Sequence, residues 1–211
     1  LKNIFNTYLL KEISEILNYK DNRIVERLVK FLSLQIGGVV NYEDLCAKVG
    51  GRVYEIKDAL YILEKTFICL FSLNFHTNKQ SELVKSPKVF FYDLGLRNVV
   101  LNLFEKDLIS GELYENFIAC ELVRRDFPLK YWRTKSGAEV DFVLEEAGGV
   151  KGIEVKSYLN KDVVEKSVRS FIEKYEPLSF YILSLDYKGN RDVGGLAVEF
   201  MPYVEFLRKF G

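Results

Sequence analysis

Asp141, Glu154 and Lys156 have side chains whose types and spacing could support metal-assisted chemistry. They lie in the segments AEVDFVLE and VKGIEVKS, where apolar and polar residues alternate as in a β-strand with one mainly polar face. The intervening EEAGGV is typical of a hairpin turn, which would bring the three side chains to one face, about 5 Å apart across the strands. Two carboxylates at that separation favour Mg²⁺ or Mn²⁺, and a neighbouring lysine can orient water for attack on a phosphodiester or stabilise the charged transition state.

The strand register decides which of these side chains face each other. A turn centred between residues 147 and 148 pairs Asp141 with Glu154, whereas a turn centred between residues 148 and 149 pairs Asp141 with Lys156. A register that instead set Asp141 against Val155 would mix charges into the apolar face, at a cost of several kcal/mol. The alternative to a metal site is a cross-strand salt bridge on an exposed sheet, which contributes about 0–1 kcal/mol and is the commoner arrangement by spacing alone.

The elements that must position these residues follow from the hydrophobic pattern of the second half. GELYENFIACELVRRDF, beginning at Gly111, has the apolar spacing of an amphipathic helix. The segments KYWRT, AEVDFVLE and VKGIEVKS are β-forming. The pattern then predicts a helix over Lys161–Tyr175, strands over Leu178–Leu185 and near Ala197–Phe200, and a short closing helix. This order indicates an α/β domain.

The first half is predicted to be helical and then β-forming. Apolar residues at spacings of three and four predict helices over residues 1–19 and 24–36, a short third helix capped by Asn41, and a fourth over residues 53–65. Two β-forming runs, FICLFSLNF and LVKSPKVFFYDLG, flank the polar loop HTNKQSE. Helices followed by a hairpin predict a winged helix-turn-helix domain over residues 1–95, with residues 53–65 in the recognition-helix position.

The charge of that fourth helix does not favour DNA. It carries Glu55, Asp58 and Glu64 against only Lys57 and Lys65, whereas phosphate contact requires excess positive charge. A helical packing module between other domains is an equally good interpretation of this half. Nothing in the segment specifies a base sequence.

Composition limits the class of protein. With 211 residues, 48% hydrophobic and 28% charged, the chain can form one or two packed cores, so disordered and fibrous classes are excluded. The 30 basic and 30 acidic side chains exclude a uniformly basic coat protein. Three cysteines and a single histidine, His76, encode neither a disulfide framework nor a zinc site. Because no apolar run reaches about 20 residues and no signal peptide is found, we expect a cytoplasmic protein without membrane contact.

Asp141 in AEVDFVL, a turn, and Glu154-Val155-Lys156 in GIEVKS resemble the core of PD-(D/E)XK phosphodiesterase-fold proteins. The resemblance implies a restriction-endonuclease-like α/β domain with a mixed sheet over residues 96–211, in which Asp141 and Glu154 bind Mg²⁺ or Mn²⁺ and Lys156 positions the attacking water. The proline of the family motif is replaced by Val140, so only the ligand aspartate of that pair is retained.

The same resemblance implies a further acidic residue on the helix before the hairpin. Glu115 is our choice for this third metal ligand and catalytic residue, with Glu112 and Glu121 as competitors on other faces of the helix.

A wider resemblance covers most of the chain. KVFFYDLGLRN, GELYENFIACEL, YWRTKSGAEVDFVL and IEVKS look like the C-terminal region of archaeal and bacterial AAA-type ATPases of uncertain function. That family implies a P-loop ATPase domain ahead of a winged-helix-like segment and a nuclease-like tail, and the leucine at position 1 agrees with a piece of a longer protein. Because the chain has no GxxxxGK[ST] motif, we expect neither nucleotide binding nor ATP hydrolysis from these residues.

Basic and aromatic residues surround the predicted site and could follow a phosphate backbone of DNA or RNA. The residues chosen for nucleic-acid binding are Arg124, Arg125, Arg133, Lys135 and Lys161, and Lys130, Lys151, Lys166, Tyr131 and Trp132 belong to the same cluster. The alternative is a solvated sheet edge with Trp132 in the core.

Three functions are compatible with these patterns. The first is a metal-dependent phosphodiesterase acting on nucleic acid. The second is a non-catalytic nuclease-like module that docks nucleic acid or a protein and relays the state of an attached ATPase. The third, a winged-helix transcriptional regulator, is disfavoured by the acidic fourth helix. Apolar surface exposed by a missing domain would also allow a homo-oligomer.

Overall fold

The computed structural model describes residues 10–16, 23–103 and 110–210, and it has a mixed α/β architecture. The described residues divide into two compact units. Residues 10–16, 23–71 and 86–103 form the first unit, and residues 72–85 and 110–210 form the second. Strand β1 therefore begins in the first unit and ends in the second.

The first unit is mainly helical. Its elements are α1 (Leu10–Ile16), α2 (Arg23–Leu34), α3 (Tyr42–Val49), α4 (Val53–Lys65), the start of β1 (Cys69–Asn74), β2 (Lys88–Phe91) and α6 (Leu94–Leu101). The expected domain boundary between residues 95 and 96 falls inside α6, which lies whole within this unit. The prediction of a helix over residues 1–19 is confirmed only for α1, because residues 1–9 and 17–19 lie outside the described residues.

The helices of the first unit form where capping and periodicity predict them. α2 buries Val25, Leu28 and Leu32 at the expected spacing. α3 begins after Asn41, whose side-chain oxygen accepts hydrogen bonds from two backbone N–H groups of the first turn, at 3.0 and 3.1 Å. α4 covers Val53–Lys65 as predicted. These helices share one hydrophobic core with residues of the two strands.

The connection between α2 and α3 is extended and reaches β2. Val39 forms an antiparallel bridge with Lys88. The Gly37 N–H donates to the Val89 carbonyl at 2.8 Å, and the Val89 N–H donates to the Gly38 carbonyl at 3.1 Å. The backbone of the two glycines that follow α2 thus joins the helices to a strand.

The prediction that HTNKQSE is a loop throughout is wrong, because helix α5 (Lys79–Val84) begins within this segment. Asn78 caps this helix by accepting a hydrogen bond from the Gln80 N–H at 3.0 Å. The segment belongs to the second unit, so the two β-forming runs are not joined by a simple hairpin turn.

The second unit contains most of the strands. Its remaining elements are α7 (Gly111–Val123), β3 (Lys130–Arg133), β4 (Glu139–Val140), β5 (Phe142–Glu146), β6 (Gly149–Val155), α8 (Lys166–Tyr175), β7 (Ser179–Ser184), β8 (Gly189–Val193), β9 (Leu196–Pro202) and α9 (Tyr203–Lys209). The strand β8 was not predicted, because GNRDV is polar and lacks the alternation of a half-buried strand.

A mixed five-stranded sheet is the centre of this unit. Its order is β5-β6-β7-β9-β8, with parallel β6–β7 and β7–β9 pairs and antiparallel β5–β6 and β8–β9 pairs. The end of β1 pairs with β3 in parallel, and β3 pairs with β4 in antiparallel orientation. The mixed sheet expected for the second half is therefore present.

The start of the edge strand β5 is buried on both faces. Phe142, Val143 and Leu144 are all buried, so the expectation of one mainly polar face is wrong for these three residues. Gly152 in β6 has no side chain where the Phe180 ring packs, and a Cβ built there would lie 2.3 Å from a ring atom. Both faces of β5 and β6 are therefore covered by apolar packing near the site.

Candidate active site

Asp141 lies at the break between two short strands. β4 ends at Val140, which pairs with Trp132 of β3, whereas β5 begins at Phe142, which pairs with Ile153 of β6. The continuous strand predicted over AEVDFVLE is therefore interrupted at Asp141, where the chain changes from one sheet to the other. Such a break frees the aspartate from regular strand pairing and directs its side chain to the end of β6.

The observed register is the first of the two alternatives. Because Phe142 pairs with Ile153 and the register continues to the pair Glu146–Gly149, the turn is centred between residues 147 and 148. Continued by one position, this register would set Asp141 against Glu154, although Asp141 itself lies outside the paired residues. The register that would pair Asp141 with Lys156 is wrong. The Asp141 carboxylate also accepts a hydrogen bond from the Val155 N–H at 2.8 Å, which fixes it beside the end of β6.

Glu154 is a buried acid with one unsatisfied oxygen. Its side chain is 8% exposed, and Oε1 lies 2.8 Å from the Lys156 ammonium. Oε2 is buried without a hydrogen-bond partner among the described residues. Burial, together with the negative charge of Asp141, raises the pKa of Glu154 from 4.5 to about 8.

Lys156 completes the cluster as a cation. Its ammonium contacts Glu154 at 2.8 Å and Glu165, the residue before α8, at 2.7 Å. Burial alone would lower the pKa of Lys156, but attraction by the two carboxylates and hydrogen bonds to them raise it above its ordinary value. Glu154 and Glu165 thus both favour the protonated form of Lys156.

The raised pKa of Glu154 predicts a pH-dependent stability. The folded state binds this proton more tightly than the unfolded state, so its stabilising contribution is full below about pH 4.5 and is lost as the pH rises to about 8. Glu154→Gln removes the titration, and we expect this variant to gain stability over the wild type by a few kcal/mol across that interval, since one pKa unit equals about 1.4 kcal/mol.

Urea unfolding of both proteins at a series of pH values measures this difference. The matched control is Glu173→Gln, which removes the same charge from an exposed position in α8. A stability difference between Glu154→Gln and the wild type that stays constant with pH would contradict the prediction.

Tyr203 and Tyr114 support the backbone of Lys156. The Tyr203 hydroxyl donates a hydrogen bond to the Lys156 carbonyl, and the Lys156 N–H donates to the Leu183 carbonyl at 2.8 Å. The Tyr203 ring stacks on that of Tyr114 from α7, with centroids 5.3 Å apart. Burial, then the neighbouring Tyr114 and Asp141, raises the pKa of Tyr203 above its ordinary value. Sequence reasoning missed Tyr203, Tyr114 and Glu165, and no motif in their segments indicates them.

The three acids considered on α7 lie in different surroundings. Glu121 forms ion pairs with Arg124 and with Arg125, and the hydrogen bond from Arg125 contributes most to lowering the pKa of Glu121. Glu112 is exposed, whereas Glu115 is half-buried and follows Tyr114. No group of three or more His, Cys, Asp or Glu side chains placed to hold a metal ion occurs in the part of the chain that the structure describes. Glu115 as a third ligand therefore stays a prediction.

The residues predicted to bind nucleic acid differ in availability. Arg124 and Arg125 pair with Glu121, and Arg133 lies 3.5 Å from the Glu139 carboxylate. Lys135 and Lys161 are exposed, and both are outside the ion pairs of the described residues.

The aromatic part of that surface is not available. Tyr131 and Trp132 are buried, and Trp132 packs edge-on against Phe171 and Tyr175, at 5.4 and 6.0 Å. The prediction that these two rings belong to a surface that follows a phosphate backbone is therefore wrong, and the alternative that places Trp132 in the core is confirmed. Lys130 and Lys151 also form ion pairs, with glutamates of α5 and β5.

Two protein families match this chain. A family described as Domain of unknown function (DUF8612) matches residues 1–107, and a second, described as Domain of unknown function (DUF4143), matches residues 110–205. The two matches together cover both units.

Among the described residues, no helix combines the length and apolarity needed to cross a bilayer.

Curated relatives give no activity. Uncharacterized proteins of Mycobacterium bovis and Mycobacterium tuberculosis are each 31% identical over 93 residues, which cover 41% of this chain and 21% of the relative. The match thus spans about a fifth of the length of those relatives. No solved structure matches the chain.

Proposed function

Because the chain belongs to the family described as Domain of unknown function (DUF8612), whose description assigns no activity, we propose its function from the site: a divalent-metal-dependent phosphodiesterase that acts on DNA. The active residues are Asp141, Glu154 and Lys156 in the second unit. In the intact protein this unit would follow an AAA-type P-loop ATPase domain, as the resemblance of the chain implies. The second unit would then have a PD-(D/E)XK fold.

The unsatisfied Oε2 atom of Glu154 carries this proposal. A buried carboxylate oxygen without a partner costs about 1–3 kcal/mol or more, and here a second carboxylate, Asp141, adds repulsion. A salt bridge alone does not explain the arrangement, because Lys156 contacts Oε1 and leaves Oε2 unpaired. A divalent cation bound by both acids would remove both penalties.

The residues present fit Mg²⁺ or Mn²⁺. Asp141 and Glu154 supply hard carboxylate oxygens, and Mg²⁺ is usually bound through one or two carboxylates while it keeps several waters. Such an ion supplies Lewis-acid chemistry to a phosphoryl group. Asp141 is fixed for this task by the hydrogen bond from the Val155 N–H.

Lys156 acts as a donor and a charge, not as a base. Its raised pKa keeps the ammonium protonated, so it can hold a substrate phosphate oxygen or orient water toward the phosphorus. Tyr203 and Leu183 fix the backbone on either side of it, which reduces the freedom of the ammonium. The exposed Lys135 and Lys161 would add phosphate contacts that weaken as salt concentration rises.

The first unit supports a winged helix-turn-helix assignment. The Val39–Lys88 bridge places the extended segment between α2 and α3 beside β2, as a small β-element in such a domain requires. The acidic α4 argues that this unit packs against protein rather than reading DNA.

Calorimetric titration of the wild type with Mn²⁺, followed by cleavage assays on single-stranded and duplex DNA, tests the proposal. We expect one binding event per chain, and cleavage that requires Mg²⁺ or Mn²⁺ and stops in EDTA. Absence of metal binding would contradict the proposal and make the polar cluster a structural salt bridge.

A non-catalytic docking module is the second candidate. It is favoured because the cations that would contact a substrate already form ion pairs within the protein. Lys156 is paired with two carboxylates, and Arg124, Arg125 and Arg133 are each paired with an acid. Such a module would bind DNA or a protein partner without cleaving DNA. The cleavage assay separates the two functions.

A further inference from the structure

The two carboxylates that hold Lys156 differ in exposure. The side chain of Glu154 is 8% exposed, whereas that of Glu165 is 51% exposed. An exposed ion pair contributes about 0–1 kcal/mol, while breaking a buried pair costs about 3–5 kcal/mol. Glu165 is therefore the partner that an incoming anion can replace at the Lys156 ammonium.

The carboxylate of Glu165 has no other structural task among the described residues. Glu165 is the N-cap residue of α8, but its side chain makes no capping hydrogen bond. It also belongs to no group of three acids placed to hold a metal in the part of the chain that is described. Its contact with Lys156 is thus what places this side chain.

We propose that Glu165 is a displaceable counter-ion of Lys156, which occupies the phosphate position of the site until a phosphodiester replaces it. An ammonium has three hydrogen-bond donors, and exchange of the Glu165 carboxylate for a phosphate oxygen keeps their number of partners unchanged. The strength of the Glu165–Lys156 contact then sets part of the affinity for substrate. This inference rests on the proposed function and adds how substrate gains access to Lys156.

Glu165→Gln tests this role by weakening the competitor while the side-chain shape is kept. We expect the Kd for a fluorescein-labelled DNA duplex, measured by fluorescence anisotropy in EDTA, to fall about three- to fivefold. Glu173→Gln is the matched control, because it removes the same charge from an exposed position in α8, the helix that Glu165 precedes. An equal gain in both variants would assign the effect to net charge and overturn the proposal.

A double-mutant cycle with Lys156→Gln tests whether Glu165 acts on DNA affinity through Lys156 or through a general structural effect. In the Lys156→Gln background, Glu165→Gln should give no gain in DNA affinity, whereas a purely structural effect would appear in both backgrounds. Failure of wild type and Glu165→Gln alike to bind the duplex would also overturn the proposal.

EDTA removes divalent ions, so the DNA-affinity test does not depend on the metal site. If the wild type binds metal and cleaves DNA but Glu165→Gln leaves the Kd for DNA unchanged, the counter-ion role alone would be overturned. A gain in Glu165→Gln without any metal binding in the wild type would overturn the phosphodiesterase and leave an anion-binding lysine controlled by Glu165.

Discussion

Replacing Asp141 with asparagine should remove Mn²⁺ binding and abolish DNA cleavage. The asparagine oxygen can still accept the hydrogen bond from the Val155 N–H, so the fold is retained, but the side chain loses the charge needed for a divalent ion. Loss of a residue that hydrogen-bonds a metal ligand costs about 10–100-fold in metal affinity, and loss of a direct ligand should cost at least as much. Calorimetry with Mn²⁺ and a cleavage assay measure the two effects.

The control for this variant is Asp186→Asn, which makes the same exchange at an exposed position after β7. It should bind Mn²⁺ and cleave DNA as the wild type does. Metal binding that survives in Asp141→Asn would show that the ion is held elsewhere, and the assignment of this carboxylate would fail. Loss of the neighbouring negative charge should also lower the pKa of Glu154, because Asp141 is one of the causes that raise it.

Lys156→Gln is expected to separate metal binding from catalysis. Glutamine can donate a hydrogen bond to Glu154 but has no charge to stabilise the transition state, so cleavage should fall about 10²–10³-fold while Mn²⁺ binding remains within the same order of magnitude. A quenched single-turnover assay measures the cleavage rate, and calorimetry measures Mn²⁺ binding.

Lys174→Gln, at an exposed position in α8, is the charge-matched control and should leave cleavage unchanged. Lys156→Arg keeps the cation and should restore part of the activity. Cleavage at the wild-type rate in Lys156→Gln would show that the lysine is only a structural partner of Glu154.

Much of the local structure was predictable because local pattern encodes it. The spacing of apolar residues located α3, α4 and α7, and Asn41 caps α3 as its residue type indicates. The alternation before and after EEAGGV restricted the hairpin to two registers, of which the structure has the one that sets Asp141 against Glu154. The polar segment around α5 predicts a loop, because six helical residues carry too little periodicity to indicate a helix.

Burial around the site could not be read from alternation. Alternation predicts a mainly polar face for AEVDFVLE, yet Val143 is buried, because β5 has apolar packing on both faces. Trp132 is predicted either to join a surface that follows a phosphate backbone or to lie in the core, and it packs against Phe171 and Tyr175 of α8. Aromatic type alone does not distinguish a core residue from an exposed one.

The sequence alone determined the residue types of the site, the hairpin that carries them and the parity that keeps Asp141, Glu154 and Lys156 together. Only the tertiary structure decided that the strand breaks at Asp141 and that Glu165 forms an ion pair with Lys156. It also decided that the Tyr203 hydroxyl donates to the Lys156 carbonyl, 47 residues away in the chain. The reason is physical. Periodicity and turn chemistry act over a few residues, whereas contacts between distant segments depend on sheet order and helix packing, which no local pattern contains.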